Sequence, residues 1–255
     1  MKFLREYIDQ FKTERATARR ELGRKLEKTA RAYDIFAGAD PQRAFDIFVA
    51  QYNWLGDPPH KRQYRIDQNL ARNLPGALMQ DYLLHLVIKL CEDFPQLDVF
   101  TEVRVPFGRY PLWKAGRIDF KTPSEQSDLA VGYIVEDEEV KLSPDPWPRQ
   151  PFYRIERNQS VRPLVTVNTK IRISQSEFFD WQGREQLMVK GNPHCLSVQV
   201  ALRKEMDFDI VEAAQASGKF FMLGEGGETN VRPVHSELAR LVQVFKNHLQ
   251  ARMTE

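Results

Sequence analysis

The residues best suited to chemistry lie between positions 127 and 185. Asp128 stands near the start of one apolar run, Ser127 to Val135, and Lys170 stands inside a second run, Arg162 to Ser174. Both runs have the length and composition of buried strands. An acid and a lysine on neighbouring strands can form a hydrolytic metal site. In such a site the acid binds Mg²⁺, and the lysine lowers the pKa of a water or stabilises a charged phosphate.

A helix is predicted directly after the second run, over residues 176–189. It carries four charged residues, Glu177, Asp180, Arg184 and Glu185. Strand alternation places Asn168 and Lys170 on one face of the preceding strand and Thr169 on the other. If the two strands are adjacent, Lys170 can lie beside Asp128. We expect the rest of the chain to act as scaffold and substrate clamp for this group.

The N-terminal third is predicted to be helical. Apolar residues recur at helical spacing over residues 1–34, which predicts one long helix. The second half of this helix contains seven basic residues, namely Arg15, Arg19, Arg20, Arg24, Lys25, Lys28 and Arg31. They indicate either a solvated helix laced with ion pairs or an arm that contacts phosphates or a second subunit. Asp40 and Pro41 predict the start of a second helix. Residues 54–75 are predicted to form a polar surface loop.

A mixed sheet is predicted from the remaining elements. A third helix over residues 76–94 is followed by strands at 99–105 and 116–120, then by the two central strands. A proline-rich loop at 143–151 separates the central strands. After the acidic helix we expect a strand at 194–202, a short helix at 209–216, a strand at 220–223 and a last helix at 234–253. This order indicates an α/β or α+β fold, divided into a helical region, 1–75, and a core, 76–255.

Composition excludes several classes of protein. Of the 255 residues, 42% are hydrophobic and 28% are charged, which is typical of a globular chain, and no apolar run is long enough to span a bilayer. The two cysteines form no zinc-site spacing and no disulfide framework, so we expect the reducing cytoplasm. The net charge of +2 does not by itself indicate a nucleic-acid binder. The glycine-rich stretch at 224–227 lacks the lysine of a phosphate-binding loop.

The central stretch resembles the PD-(D/E)xK nucleases, whose pattern is an acid on one strand, acid-x-lysine on the next, and then a helix. Asp128 matches the first part, without the usual preceding proline. Asn168-Thr169-Lys170 matches the second part, with an asparagine where the family has an acid. The resemblance covers residues 76–223. The stretch from Val167 to Trp181, together with residues 191–195, more narrowly resembles type II restriction endonucleases of the Bpu-ten-I kind.

This resemblance implies a restriction-endonuclease-like mixed sheet flanked by helices, with a helical N-terminal extension. It also implies a Mg²⁺-dependent endonuclease that acts on double-stranded DNA, alone or paired with a second nuclease subunit, because enzymes of the Bpu-ten-I kind have two unlike subunits. The alternative is a catalytically impaired subunit of the same fold that binds DNA or a partner. Asn168 keeps this alternative open, since an amide oxygen can bind Mg²⁺ but brings no charge.

Some nucleases of this superfamily carry the missing acid on the following helix. Glu185 lies fifteen residues after Lys170, near the spacing of that variant, and is favoured over Glu177. The predicted metal ligands are therefore Asp128, Asn168 and Glu185, while Asp81 and Glu102 are weaker candidates. Four polar residues around the site are expected to approach DNA, namely Arg172, Gln175, Ser176 and Arg184.

Overall fold

The computed structural model describes the backbone of residues 3–37, 39–106, 110–114, 117–121, 124–142 and 153–254. Its helices are α1 (Phe3–Thr13), α2 (Thr17–Phe36), α3 (Pro41–Gly56), α4 (Pro58–Gln63), α5 (Gln68–Cys91), α6 (Gln175–Gly191), α7 (Phe208–Ala216) and α8 (His235–Met253). Its strands are β1 (Asp98–Pro106), β2 (Tyr110–Lys114), β3 (Arg117–Lys121), β4 (Ser124–Leu142), β5 (Tyr153–Ser174), β6 (Leu196–Glu205), β7 (Phe220–Met222), β8 (Gly224–Glu225) and β9 (Arg232–Pro233). The predicted proline-rich loop lies outside the described residues.

The central sheet has five strands in the order β1-β4-β5-β6-β7. Strand β4 is antiparallel to both β1 and β5, whereas β6 is parallel to β5 and to β7. The antiparallel half is built from consecutive or nearly consecutive strands, and the parallel half needs the crossover helices α6 and α7. The predicted mixed sheet is therefore confirmed.

Strand alternation divides the apolar side chains between two cores. Val165, Val167, Val198 and Val200 belong to a large core that also contains buried residues of α1, α2, α3, α5 and α8. On the other side, residues of β6 and β7 form a smaller core with α6 and α7, namely Ala201, Phe220, Met222, Phe178, Trp181, Val211 and Ala214. The sheet is thus flanked by helices on both sides, as the predicted α/β fold class requires.

The N-terminal region differs from the single predicted helix. The chain breaks between α1 and α2, and the two helices fold back so that Leu4, Phe11 and Leu22 are buried in one core. Arg20 donates hydrogen bonds to the carbonyl oxygens of residues 14 and 15, which ties the linker between the two helices to α2. A Cβ on Gly23 would lie 3.1 Å from Cβ of Phe11, so a larger residue would push the hairpin apart. The prediction of one helix over residues 1–34 was wrong.

The predicted loop at 54–75 is also largely helical. Helix α4 occupies residues 58–63, and α5 begins at Gln68 because the carboxylate of Asp67 accepts the N–H of Leu70. This cap and the burial of Leu74 outweigh the cost of Pro75 inside the helix. Position 75 falls within α5, and the proposed division at residue 75 remains a prediction. At α3, the predicted cap is confirmed, since Asp40 accepts the N–H of Arg43.

Several basic residues of α2 contact other parts of the chain. Arg19 pairs with Asp67 at 3.2 Å, Lys25 lies 4.6 Å from the ring centre of Trp54, and Arg31 pairs with a glutamate of its own helix. Arg20 donates to the linker between α1 and α2. These contacts favour the solvated-helix interpretation for the four residues. Three of the seven, Arg15, Arg24 and Lys28, are exposed and remain candidates for a phosphate or subunit contact.

Asp81 is fully buried and holds the start of α1. Its two carboxylate oxygens accept the backbone N–H groups of Phe3 at 2.9 Å and Leu4 at 3.0 Å. A carboxylate at a helix N-terminus satisfies otherwise unpaired donors and interacts favourably with the helix dipole. The role of Asp81 that the geometry supports is therefore structural, at the junction of α1 and α5.

Within the described helices, none is long and apolar enough to cross a membrane.

We expect Asp81→Ala to lower the free energy of unfolding by about 3 kcal/mol, because two buried N–H groups lose a charged acceptor. Urea denaturation followed by circular dichroism measures the loss. The matched control is Asp40→Ala, which removes an exposed cap and should cost about 1 kcal/mol. Equal, small losses in both variants would contradict the structural role given to Asp81.

Candidate active site

The antiparallel pairing of β4 and β5 brings the acid of the first strand to the second. Leu129 lies opposite Val167 in the register, so Asp128 faces the part of β5 that carries the acid-x-lysine-like residues. Oxygen Oδ2 of Asp128 accepts the backbone N–H of Thr169 at 2.6 Å and its hydroxyl at 2.8 Å. No described residue donates a hydrogen bond to the other oxygen, Oδ1. The carboxylate is thus fixed in place and still has an oxygen to offer.

A cleft of about 200 Å³ opens beside this contact. Its lining residues come from β4, β5, α6 and β6, and they are Gln126, Asp128, Asn168, Thr169, Lys170, Glu177, Asp180, Trp181, Arg184 and Gln199. The structure therefore brings together the predicted acid, amide, lysine and one of the two helix glutamates. Sequence reasoning did not assign roles in the site to Gln126, Asp180 or Gln199. The signal for Asp180 was its position one helical turn after Glu177.

Glu177 contacts both the strand end and the lysine. Its N–H is bonded to Ser174 Oγ, and its Oε2 accepts the N–H of Ser174 at 3.0 Å, so Ser174 and Glu177 form a capping box at the start of α6. Its Oε1 lies 3.3 Å from Nζ of Lys170. Burial raises the pKa of Glu177, but the hydrogen bonds from Ser174 and the ammonium of Lys170 together hold it below its usual value. Glu177 is therefore ionised at neutral pH.

Glu185, the favoured carrier of the missing acid, makes a different contact. Its Oε1 pairs with the ammonium of Lys219, and it is absent from the residues that line the cleft. Helix geometry explains the difference, since eight residues advance about 12 Å along the axis and turn the side chain by roughly 80°. Of the two glutamates, the structure places Glu177 beside Lys170. The roles of both as metal ligands remain predictions.

The residues expected to approach DNA lie on α6 and near the end of β5. Gln175 and Ser176 are exposed at the first positions of α6, and Arg184 lines the cleft, 3.6 Å from Asp180. Arg172 is exposed near the end of β5, where its Nη1 lies 2.9 Å from the Glu205 carboxylate. Of the four residues, Arg184 lines the cleft, Gln175 and Ser176 precede Glu177 on α6, and Arg172 follows Lys170 by two residues on β5. Two of their guanidinium groups are partly neutralised by acids of the same chain.

The donors of the cleft suit a hard cation. They are oxygens of carboxylates and amides, from Asp128, Asn168, Glu177 and Gln199, which are the ligands that Mg²⁺ prefers. In the described part of the chain, no three histidine, cysteine or acidic residues cluster closely enough to hold a metal. Mg²⁺ usually keeps several waters and takes only one or two carboxylates together with substrate phosphates. The donor set therefore fits this ion in the presence of a phosphate substrate.

Comparison with known proteins supports the fold. No protein-family model matches the chain, and no curated protein matches its sequence. Its structure is similar to a chain of the native BbvCI A2B2 tetramer, with a TM-score of 0.54 and 11% sequence identity. The similarity covers 99% of this chain and 98% of that chain. At this identity the similarity shows the fold alone, and that fold is the restriction-endonuclease-like mixed sheet flanked by helices.

Proposed function

We propose that this chain is a Mg²⁺-dependent DNA endonuclease of the type II restriction kind, acting alone or as one subunit of a two-subunit enzyme. One observation carries the proposal. Asp128, Asn168 and Lys170 meet Glu177 in one cleft, at the strand–strand–helix junction of a restriction-endonuclease-like sheet. The reaction class is hydrolysis of a phosphodiester bond in double-stranded DNA.

Five of the cleft residues would have roles in this reaction. Bound Mg²⁺ would polarise the scissile phosphate and supply a water of lowered pKa. Asp128 Oδ1 and the amide oxygen of Asn168 would hold the ion, while the hydrogen bonds from Thr169 orient the carboxylate. The ammonium of Lys170 would stabilise the negative charge that develops on the phosphate. Glu177 would orient that ammonium, which it approaches at 3.3 Å.

A second subunit is part of the proposal. The BbvCI structure, to which this fold is similar over almost its whole length, is an A2B2 tetramer. The resemblance of residues 167–181 to enzymes with two unlike subunits points the same way. A duplex has two strands to cut, and one cleft of the present kind provides one set of hydrolytic residues. We infer that the chain pairs with another nuclease subunit, either a copy or a different chain.

The second candidate function is a catalytically impaired subunit that binds DNA or a partner. The observation that favours it is Asn168, an uncharged residue where the resemblance leads us to expect an acid. Cation affinity grows with the number of charged ligands, so the cleft as it stands is expected to bind Mg²⁺ weakly. The two functions differ in one measurable respect, which is whether the cleft cuts DNA when Mg²⁺ is abundant.

We expect the purified chain to nick or cut supercoiled plasmid DNA in millimolar Mg²⁺ and to lose this activity in a chelator. Asn168→Asp adds a charged oxygen to the cleft and should lower the Mg²⁺ concentration needed for half-maximal cleavage by roughly tenfold. Gel analysis over a Mg²⁺ series measures both effects, with and without the product of the neighbouring open reading frame.

Sequencing the DNA ends then shows whether cleavage occurs at a defined site. DNA binding without cleavage by the wild-type chain, together with cleavage by Asn168→Asp, would favour the impaired subunit. Absence of cleavage by both proteins, with and without the neighbouring product, would contradict the endonuclease. Cleavage that persists in the chelator would contradict the metal dependence.

A further inference from the structure

Gln199 is a polar residue in the middle of the sheet. It lies on β6, between Val198 and Val200, and its relative exposure is only 2%. In the parallel register of β5 and β6 it stands directly beside Asn168. Burying an amide between valines carries a desolvation cost unless its polar atoms are satisfied. The contacts of this side chain therefore indicate why a glutamine occupies the position.

The nitrogen of the amide is fully used. Nε2 donates to the backbone oxygen of Asn168 at 3.1 Å and to that of Val200 at 3.4 Å. Two donors on one nitrogen fix the plane of the amide and direct its oxygen away from these carbonyls. No described residue donates a hydrogen bond to Oε1, and this oxygen is not among the enclosed atoms left without a partner. Since Gln199 lines the cleft, its oxygen acceptor reaches that space.

We propose that Gln199 is a cation-binding residue whose amide oxygen joins Asp128 and Asn168 in holding a hard divalent cation in the cleft. The proposal rests on the proposed function only in placing the cation there. A residue that merely pinned the Asn168 carbonyl would need a donor and not an acceptor. The Gln199 amide has both kinds of group in use: its N–H groups bind β5, and its oxygen faces the predicted metal ligands. The resulting ligand set has several oxygens but a single charge from Asp128.

With one charged ligand and two amide oxygens, the cation affinity of this site should depend both on the number of oxygen ligands and on their charge. Amide oxygens are ordinary ligands of Mg²⁺ and Ca²⁺, and they bind these ions less tightly than carboxylates do. Removing one amide oxygen should weaken cation binding, and replacing it by a carboxylate should strengthen binding. If Gln199 is a ligand, the two substitutions change the cation affinity in opposite directions. If Gln199 only supports the sheet, either substitution disturbs the sheet, and opposite changes in cation affinity are not expected.

Calorimetric titration of the full chain with Ca²⁺ and with Mg²⁺ tests the proposal without relying on cleavage. We expect Gln199→Met to weaken cation binding by about fivefold or more, and Gln199→Glu to tighten it by roughly tenfold. Thermal unfolding with and without cation checks that the variants fold, and Gln199→Glu should gain more stability from the cation than the wild-type chain does.

The matched control is Asn192→Leu. Asn192 Nδ2 donates to the carbonyl oxygen of Pro163 at 2.8 Å, so this variant also loses an amide–carbonyl bond to β5 while leaving the cleft intact. It should lose stability and keep the cation affinity. If both Gln199 variants keep the wild-type affinity while Asp128→Asn loses it, the proposal is overturned. Wild-type protein that binds no cation overturns it too, whereas cation binding without cleavage leaves it standing and rejects the endonuclease.

Discussion

Asp128→Asn and Lys170→Ala are each expected to reduce DNA cleavage by roughly 10²- to 10³-fold while leaving DNA binding close to that of the wild-type chain. Asparagine at position 128 still accepts the two hydrogen bonds from Thr169, so the strands stay in place and only the charge is removed. Alanine at position 170 removes the ammonium group that lines the cleft together with Asp128. Both substitutions are expected to slow the chemical step, in which negative charge develops on the phosphate.

Single-turnover cleavage in Mg²⁺ and equilibrium DNA binding in Ca²⁺ separate the two effects. The control is Lys190→Ala, which removes an exposed lysine from the last turn of α6, the helix that lines the cleft. It should cleave at the wild-type rate. If Asp128→Asn and Lys170→Ala also cleave at that rate, the cleft is not the active site, and DNA hydrolysis by this chain must occur elsewhere.

The second large effect distinguishes the two glutamates of α6. Glu177→Gln should reduce cleavage by roughly 10- to 100-fold and raise the Mg²⁺ requirement, because it removes the charge that orients Lys170. The substitution spares the start of the helix, since glutamine serves in a capping box as well as glutamate does. Glu185→Gln should leave cleavage unchanged and lower stability, because it breaks the pair with Lys219.

Glu185→Gln is thus the matched control for Glu177→Gln, as the same chemical change is made on the same helix. Cleavage kinetics over a Mg²⁺ series and thermal unfolding supply the two measurements. The reverse result, with Glu185→Gln inactive and Glu177→Gln active, would favour Glu185 as the carrier of the missing acid, as its spacing from Lys170 predicted. It would also require a cleft conformation in which Glu185 no longer pairs with Lys219. Such an outcome would also remove Glu177 from the proposed mechanism.

Much of the fold could be predicted from local patterns. Alternation and apolar runs located the central strands, and their order with the intervening helices indicated a mixed sheet. The hairpin of α1 and α2 could not be predicted in this way, because the break at residues 14–16 contains neither glycine nor proline. Its cause is tertiary, since folding back buries Phe11 and Leu22 in one core. The start of α5 was missed because residues 54–75 are polar and turn-rich, whereas the Asp67 cap starts the helix at Gln68.

The candidate site was predictable only in part. A short motif identified Asp128, Asn168 and Lys170, because the chemistry of each is local to its strand. The choice between Glu177 and Glu185 depends on how α6 is rotated over the sheet, which spacing along the chain does not determine. Gln199 carried no signal, because its place beside Asn168 follows from the parallel register of β5 and β6. Long-range register is therefore the missing information for the site.

The cap that Asp81 places on α1 also constrains the order in which the helices can fold during synthesis. The hydrogen bonds from Phe3 and Leu4 span 78 and 77 residues, so they cannot form on a ribosome until residue 81 has been synthesised and has left the exit tunnel. Until then the first turn of α1 keeps its amide groups in water, even where α1 and α2 have already packed together. Closing a loop of this length carries an entropic cost and slows folding. Helix α1 is thus completed only after α5, which carries Asp81, has been synthesised.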